Sequence, residues 1–326
     1  MKRVSIIFII IGCLLYGNAL KLIEKKKTEP LYGIKNFDGN GNLAFLDIKK
    51  KEIMFFDRDF NLKWKKKIKG EGPGEIKSAS IMGINDFIYI YDDKSRKVVL
   101  YSKEGKLLKD IKVGKIFVGL KPMGEGKWIV VEQNMDKKVK KIIYEMKITE
   151  NFKNEGQIIT KKIRPFGFKS ITQFWENYIP FDYDGKNRIY FVKGRGYEIY
   201  VFDVETGKNK LFYKENLKEF ALTKAQEKAY KSKIPKVVRM LVGKIKSLPV
   251  VDEIICMREN VVIVTNILSE DGEKRKVDII NLKSEKIYSF WSSFKIYVSG
   301  ERLIEYESKE THDVYDYYSI EKIKRR

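Results

Sequence analysis

The feature that most constrains this chain is a unit of about 40 to 55 residues, repeated up to six times, in which short apolar strands alternate with tight polar turns. A strand-built period of that length is the signature of a β-propeller, where each repeat is a small sheet that buries its faces against its neighbours. The clearest copy runs Asn42-Leu-Ala-Phe-Leu-Asp47, Glu52-Ile-Met-Phe-Phe-Asp57 and Leu62 to Ile68. The next repeats it as Phe87-Ile-Tyr-Ile-Tyr-Asp92, Lys97-Val-Val-Leu-Tyr101 and Lys106 to Ile111, with the last two joined through Ser102 to Gly105.

Read along the chain, blade one spans about Leu31 to Lys69, blade two Ile76 to Val113 and blade three Phe117 to Thr160. Blade four includes Arg188 to Val192, Glu198 to Phe202 and Lys210 to Tyr213. Blade five runs from Val250 to Trp291, and blade six takes Lys295 to Val298, Leu303 to Glu307, Val314 to Ser319 and Glu321 to Lys324. Corresponding turns fall at Asp57, Ser102, Ile148, Asp203, Asn281 and Ser319. Leu20 to Thr28 is a lead-in expected to pair with the last blade and close the ring, which removes free sheet edges. Between blades four and five the period becomes helical over about Leu222 to Leu241, with Thr223 as N-cap, Glu227 in the early helix and Pro235 as a break. The expected fold is therefore all-β: a six-bladed β-propeller over residues 20–326, with a helical insertion at about 222–248.

Met1-Lys-Arg3, the apolar run Val4 to Tyr16, and small residues at Gly17 and Ala19 read as a signal peptide over residues 1–19. The run is shorter than the roughly 20 apolar residues of a membrane span. The expected location is periplasmic or extracellular, and membrane contact is expected only through the signal or a lipid. The lipid belongs to a rival reading, Ile10-Ile-Gly-Cys13 as a lipobox with Cys13 lipidated. Cleavage after Ala19 leaves one cysteine, Cys256, which cannot form an internal disulfide and reads as a small buried apolar residue.

The formal net charge of +22 invites a nucleic-acid reading. Against it, 54 of the 66 basic residues are lysines, spread through turns and strand faces among 44 acids. Arginine forks and a stacking platform of aromatics, on which nucleic-acid readers lean, are both missing from the pattern. Lys63-Trp-Lys-Lys-Lys67 and Lys137-Lys-Val-Lys-Lys141 fit solvated sheet edges, where lysine discourages edge pairing. An anionic envelope polymer is the electrostatic partner that an exported chain would more readily meet.

The loop Gly70-Glu-Gly-Pro-Gly-Glu75, followed by Ile76, resembles the G-x-G-P-G-E/F loop that joins blades in a family of bacterial exported six-bladed propellers related to NHL-repeat and TolB-like domains. The insert and its return through Pro249 and Val250 to Ile255 are similar to that family too. The resemblance implies fold and export. Members are mostly uncharacterised, so it implies little chemistry. The Asp-x-x-Gly step is kept at Asp38 to Gly41 and Asp182 to Gly185 and lost in the other blades.

Gly70 to Glu75 lacks the phosphate-loop spacing and opens no helix, so it reads as a tight inter-blade turn. Asp38, Asn40 and Asn42 have calcium-loop spacing, but Leu43 replaces the required glycine and Lys49 stands where the bidentate acid belongs. His312 is the only histidine, which excludes multi-histidine zinc sites and histidine dyads. No metal site and no cofactor are expected.

What the sequence leaves is a binding surface. Gln173-Phe-Trp-Glu-Asn-Tyr178 offers flat rings and amides suited to a sugar or peptide, so Gln173, Trp175, Asn177 and Tyr178 are candidate contacts. Arg164 and Arg195 could meet a carboxylate near the channel mouth. The expected function is an exported, non-catalytic binding propeller for a protein, peptide or glycan on the channel face. The alternative is a calcium-assisted hydrolase or lyase built on channel carboxylates.

Overall fold

Middle strands such as Ile88–Asp92 and Lys97–Tyr101 are uncharged between their ends because they are covered on both faces. In the computed structural model β1 (Leu20–Thr28) opens the chain, and blade one follows as β2 (Ile34–Phe37), β3 (Leu43–Asp47), β4 (Glu52–Phe56) and β5 (Leu62–Lys67). Blade two is β6 (Ala79–Ile84), β7 (Ile88–Asp92), β8 (Lys97–Tyr101) and β9 (Leu107–Lys112). Every residue of β7 and β8 is buried, whereas β9 is almost wholly exposed. Strand period sends alternate side chains to opposite neighbours: Ile88, Ile90, Val99 and Tyr101 pack toward blade one, and Tyr89, Tyr91, Val98 and Leu100 toward blade three.

Blade three is β10 (Ile116–Gly124), β11 (Lys127–Asp136), β12 (Lys141–Glu150) and β13 (Gly156–Pro165), and blade four is β14 (Phe181–Tyr183), β15 (Arg188–Val192), β16 (Glu198–Asp203) and β17 (Lys208–Lys214). A short pair, β18 (Phe220–Ala221) with β19 (Ser247–Leu248), and the helix α1 (Lys224–Ser232) precede blade five: β20 (Val251–Met257), β21 (Asn260–Leu268), β22 (Arg275–Asn281) and β23 (Ile287–Ser292). Blade six is β24 (Lys295–Ser299), β25 (Arg302–Ser308) and β26 (Asp313–Ile320). The structure describes residues 20–28, 31, 33–124, 126–136, 138–153, 156–165, 179–232, 247–292, 295–299, 302–308 and 313–320.

The fourth place in blade six belongs to β1, which pairs antiparallel with β26 from Leu20 opposite Ile320 to Thr28 opposite Asp313. The expected lead-in thus closes the ring. Glu321 to Lys324, expected as that fourth strand, lie outside the described residues, and the edge of β26 that they would have used is taken. Blade three also corrects its reading. Ile148 sits inside β12, whose ten residues run on to Glu150, and the turn comes at Asn151 to Lys153. The apolar core is divided among the blade seams, including the closing one, where Phe37 and Leu43 meet Ile304 and Tyr315.

Helix α1 starts as expected at Thr223. Gln226 N donates to Thr223 Oγ1 at 3.2 Å and Thr223 N donates to Gln226 Oε1 at 3.0 Å, a reciprocal cap. Buried Gln226 also donates through Nε2 to the carbonyls of Leu268 and Ser269, docking the helix on the β21–β22 turn. Pro235 lies outside the described residues.

Candidate functional site

Four strands per blade bring the chain back to the same end of the ring, so the innermost strands β2, β6, β10, β14, β20 and β24 all run in one direction around the axis. They enclose a cavity of about 770 Å³, lined by residues of all six. That is the size range of a small-ligand site.

The charges on these strands are mostly neutralised within the wall. Lys35 on β2 is buried and donates to Asp313 Oδ2 of β26 at 2.9 Å and to the Tyr306 hydroxyl of β25. Burial holds its ammonium below the ordinary lysine range although the Asp313 carboxylate pulls the other way. Lys121 on β10 donates to Asp182 Oδ1 on β14, and Asp182 Oδ2 accepts the Cys256 N–H of β20 at 2.7 Å. One carboxylate therefore ties blades three, four and five together. Burial also lowers the Lys121 pKa and pushes the Cys256 thiol up to about 12, so that thiol is inert.

Glu253 and Lys295 differ. Glu253 is half-buried on β20, where the register slips between Val251 and Glu253. This bulge re-aims successive side chains: Asp252 reaches Arg275 at 2.7 Å, while Glu253 lines the channel. Burial first, then Asp252, push its carboxyl up to about 7, against the attraction of Lys295, Lys121 and Arg275. Lys295 lines the same cavity from β24, with its ammonium 5.3 Å from the centre of the Tyr297 ring.

Carboxylates elsewhere are engaged in turns. Asp38 Oδ1 accepts the N–H groups of Asn40 and Asn42, and its Oδ2 takes Lys103 at 2.6 Å, so the would-be calcium loop is an Asx turn. Asp184 accepts three successive amides, from Lys186 to Arg188. Among the described residues no three His, Cys, Asp or Glu side chains converge on a metal position, and no helix is long and apolar enough to cross a membrane. The Gly70 to Glu75 loop closes on itself: Glu75 Oε2 accepts the Gly72 N–H at 2.8 Å, and the Gly74 N–H goes to Asp110 Oδ2 at 2.8 Å.

The expected contact residues are not brought together around this cavity. Arg164 stands in β13 opposite Ile142, on the outermost strand of blade three. Arg195 lies between β15 and β16, with Nη2 donating to Ser247 Oγ at 2.9 Å and Nε 3.2 Å from Glu219 Oε2, so it braces the β18–β19 pair. Gln173, Trp175, Asn177 and Tyr178 lie outside the described residues, as do His312, Cys13 and residues 1–19. Sequence reasoning missed Lys35, Lys121, Asp182, Glu253 and Lys295. Lys35, Lys121, Asp182 and Glu253 share a signal, a charge inside the first strand of a repeat next to apolar residues, and Lys295 opens such a strand.

No protein-family model matches the chain, and no curated protein matches it. Among solved structures it superposes on a protein of Bacteroides fragilis described as exported, with a TM-score of 0.56 and 12% identity over 93% of this chain and 96% of that one. It also superposes on a member of the DUF4221 family from Bacteroides vulgatus, with a TM-score of 0.52 and 10% identity over 93% of this chain and 99% of that one. At such identities the likeness is one of fold: this chain is a six-bladed β-propeller.

Proposed function

We propose that this chain is an exported, non-catalytic binding propeller that recognises a protein, peptide or glycan at one end of its central channel. The observation that carries the reading is the cavity of about 770 Å³ to which all six blades contribute, with polar groups set among apolar ones. The α1 insert supports it by position. Gln226 anchors the helix on the β21–β22 turn, and that turn lies at the same end of blade five as the start of β20, where Glu253 sits. Export is supported by the basic, apolar and small-residue pattern of residues 1–19 and by the exported description of the Bacteroides fragilis protein. The metal-assisted hydrolase is the weaker reading because it needs several free channel acids, and Asp182 is held by Lys121 and the Cys256 amide.

The test is a thermal-shift screen of the purified protein against calcium, glycans and peptides, since a ligand that binds only the folded state raises its apparent stability. A shift with a glycan or peptide, without turnover, is the expected result. A calcium-dependent shift accompanied by cleavage of the ligand would reverse the reading in favour of a hydrolase.

A further inference from the structure

Two opposite charges face the channel. Glu253 and Lys295 line one cavity from neighbouring inner strands, and each lies near the start of its strand, at the same end of the ring. They feel each other's field, yet neither forms a hydrogen bond or an ion pair among the described residues. The Tyr297 hydroxyl, on the same wall, is likewise without a hydrogen-bond partner there. The other charges on the inner strands, Lys35, Lys121, Asp182 and Asp252, are all paired.

Resting on the reading of the channel as a binding site, the geometry points to a site for a zwitterion, a free amino acid or short unblocked peptide, whose ammonium meets Glu253 and whose carboxylate meets Lys295. A ligand that carries only an anion leaves the half-buried Glu253 unmatched, which is costly, and one that carries only a cation forgoes the exposed Lys295. A neutral glycan satisfies neither charge, and a phosphate is repelled by Glu253. The carboxyl of Glu253, held up to about 7, is a group short of donors, and an ammonium supplies up to three. The bulge at Asp252 is what parts the two adjacent acids, one to Arg275 and one to the channel.

The experiment measures binding of trialanine, N-acetyl-trialanine, trialanine amide and chitotriose to the wild type, Glu253→Gln and Lys295→Met by calorimetry. At pH about 7.5, where Glu253 is mostly ionised and the peptide amine is still mostly an ammonium, trialanine binds the wild type. Acetylation weakens it about tenfold or more in the wild type and has little effect in Glu253→Gln, while amidation does the same with respect to Lys295→Met. Acidification to about pH 6 weakens trialanine but not its acetylated form, as Glu253 takes up its proton. The charged and titratable groups around Glu253 are Asp252 on its own strand, Cys256 farther along it, Lys121 from β10, Asp182 from β14, Arg275 from β22, and Lys295 and Tyr297 from β24.

Equal binding of the free and blocked peptides, or no peptide binding to the wild type, overturns the assignment. Chitotriose binding that is equal in all three proteins overturns it too, but leaves the propeller a binding module. Cleavage of any of these ligands would instead overturn the non-catalytic reading. Because the blocked peptides are compared on the wild type itself, the test survives a variant that does not fold.

Discussion

At the scale of single residues, the acids of this chain are mostly structural. Asp57 and Asp92 each accept amides of their own turns, as Asp38 and Asp184 do. Among the described residues, burial makes the fold resist the ionisation of two carboxyls, Glu305 and, facing the channel, Glu253. A carboxyl with its pKa raised on folding adds stability at low pH and loses it as pH climbs from the ordinary carboxylate range to about 7. Glu253→Gln, which keeps the shape without the charge, is expected to leave the melting temperature unchanged near pH 4 and to raise it above wild type near pH 8. Melting curves across that range decide the matter, and a variant less stable than wild type at the alkaline end would show that the carboxylate is stabilised in place. None of this was legible beforehand. Asp252-Glu253 in the run from Val250 to Ile255 reads as an ordinary polar pair until the bulge is seen, and a bulge leaves no mark in hydrophobic alternation.

At the scale of elements, what the sequence revealed follows from burial. Strands covered on both faces, such as β7 and β8, must be continuous apolar runs, so they were read correctly. Outer strands such as β9 are exposed and carry a weaker pattern, which is why Glu321 to Lys324 were read as a further strand of blade six although the lead-in at Leu20 to Thr28 was already expected to close it. In blade three the strands outlast their apolar stretches, so Ile148 looked like a turn while backbone pairing carried β12 on to Glu150. The Gly70 to Glu75 loop was legible because its glycines answer a conformational need. Gly74 has φ of 78°, and a Cβ there would lie 3.0 Å from the Tyr101 hydroxyl and 3.1 Å from Leu107. Gly74→Ala should destabilise the protein by about 1 to 2 kcal/mol, measured by denaturant unfolding, through the left-handed backbone and this crowding. The cap of α1 separates differently. Thr223→Ala removes the side-chain acceptor for the Gln226 N–H, about 1 kcal/mol locally. Hydrogen exchange is expected to quicken within Lys224–Ser232 while the blades keep their protection.

For the whole molecule, the decisive seam is the one that joins the two ends of the chain. It is fastened twice, on the rim by β1 against β26, and near the channel by Asp313. Asp313 is fully buried and accepts hydrogen bonds from Lys35 Nζ and the Leu31 N–H at 2.9 Å and from the Tyr306 hydroxyl at 3.1 Å. The Lys35 ammonium lies 3.7 Å from the centre of the Tyr306 ring, so the cation is enclosed by one carboxylate and one aromatic face. Removing a single partner of such a pair strands the other charge out of water, whereas replacing both by apolar groups removes the desolvation penalty along with the attraction. Asp313→Leu is therefore expected to cost about 3 to 5 kcal/mol. The double variant Lys35→Met/Asp313→Leu should recover most of that loss, although it lacks the same ion pair. Denaturant unfolding of the two variants beside wild type reads the difference, and hydrogen exchange locates it, with protection in the single variant falling first in β1, β2 and β26. If the double variant is no more stable than the single one, the seam depends on the hydrogen bonds to Leu31 and Tyr306 more than on its buried charge. Ring closure would then be a matter of backbone and hydroxyl geometry, with Lys35 a passenger.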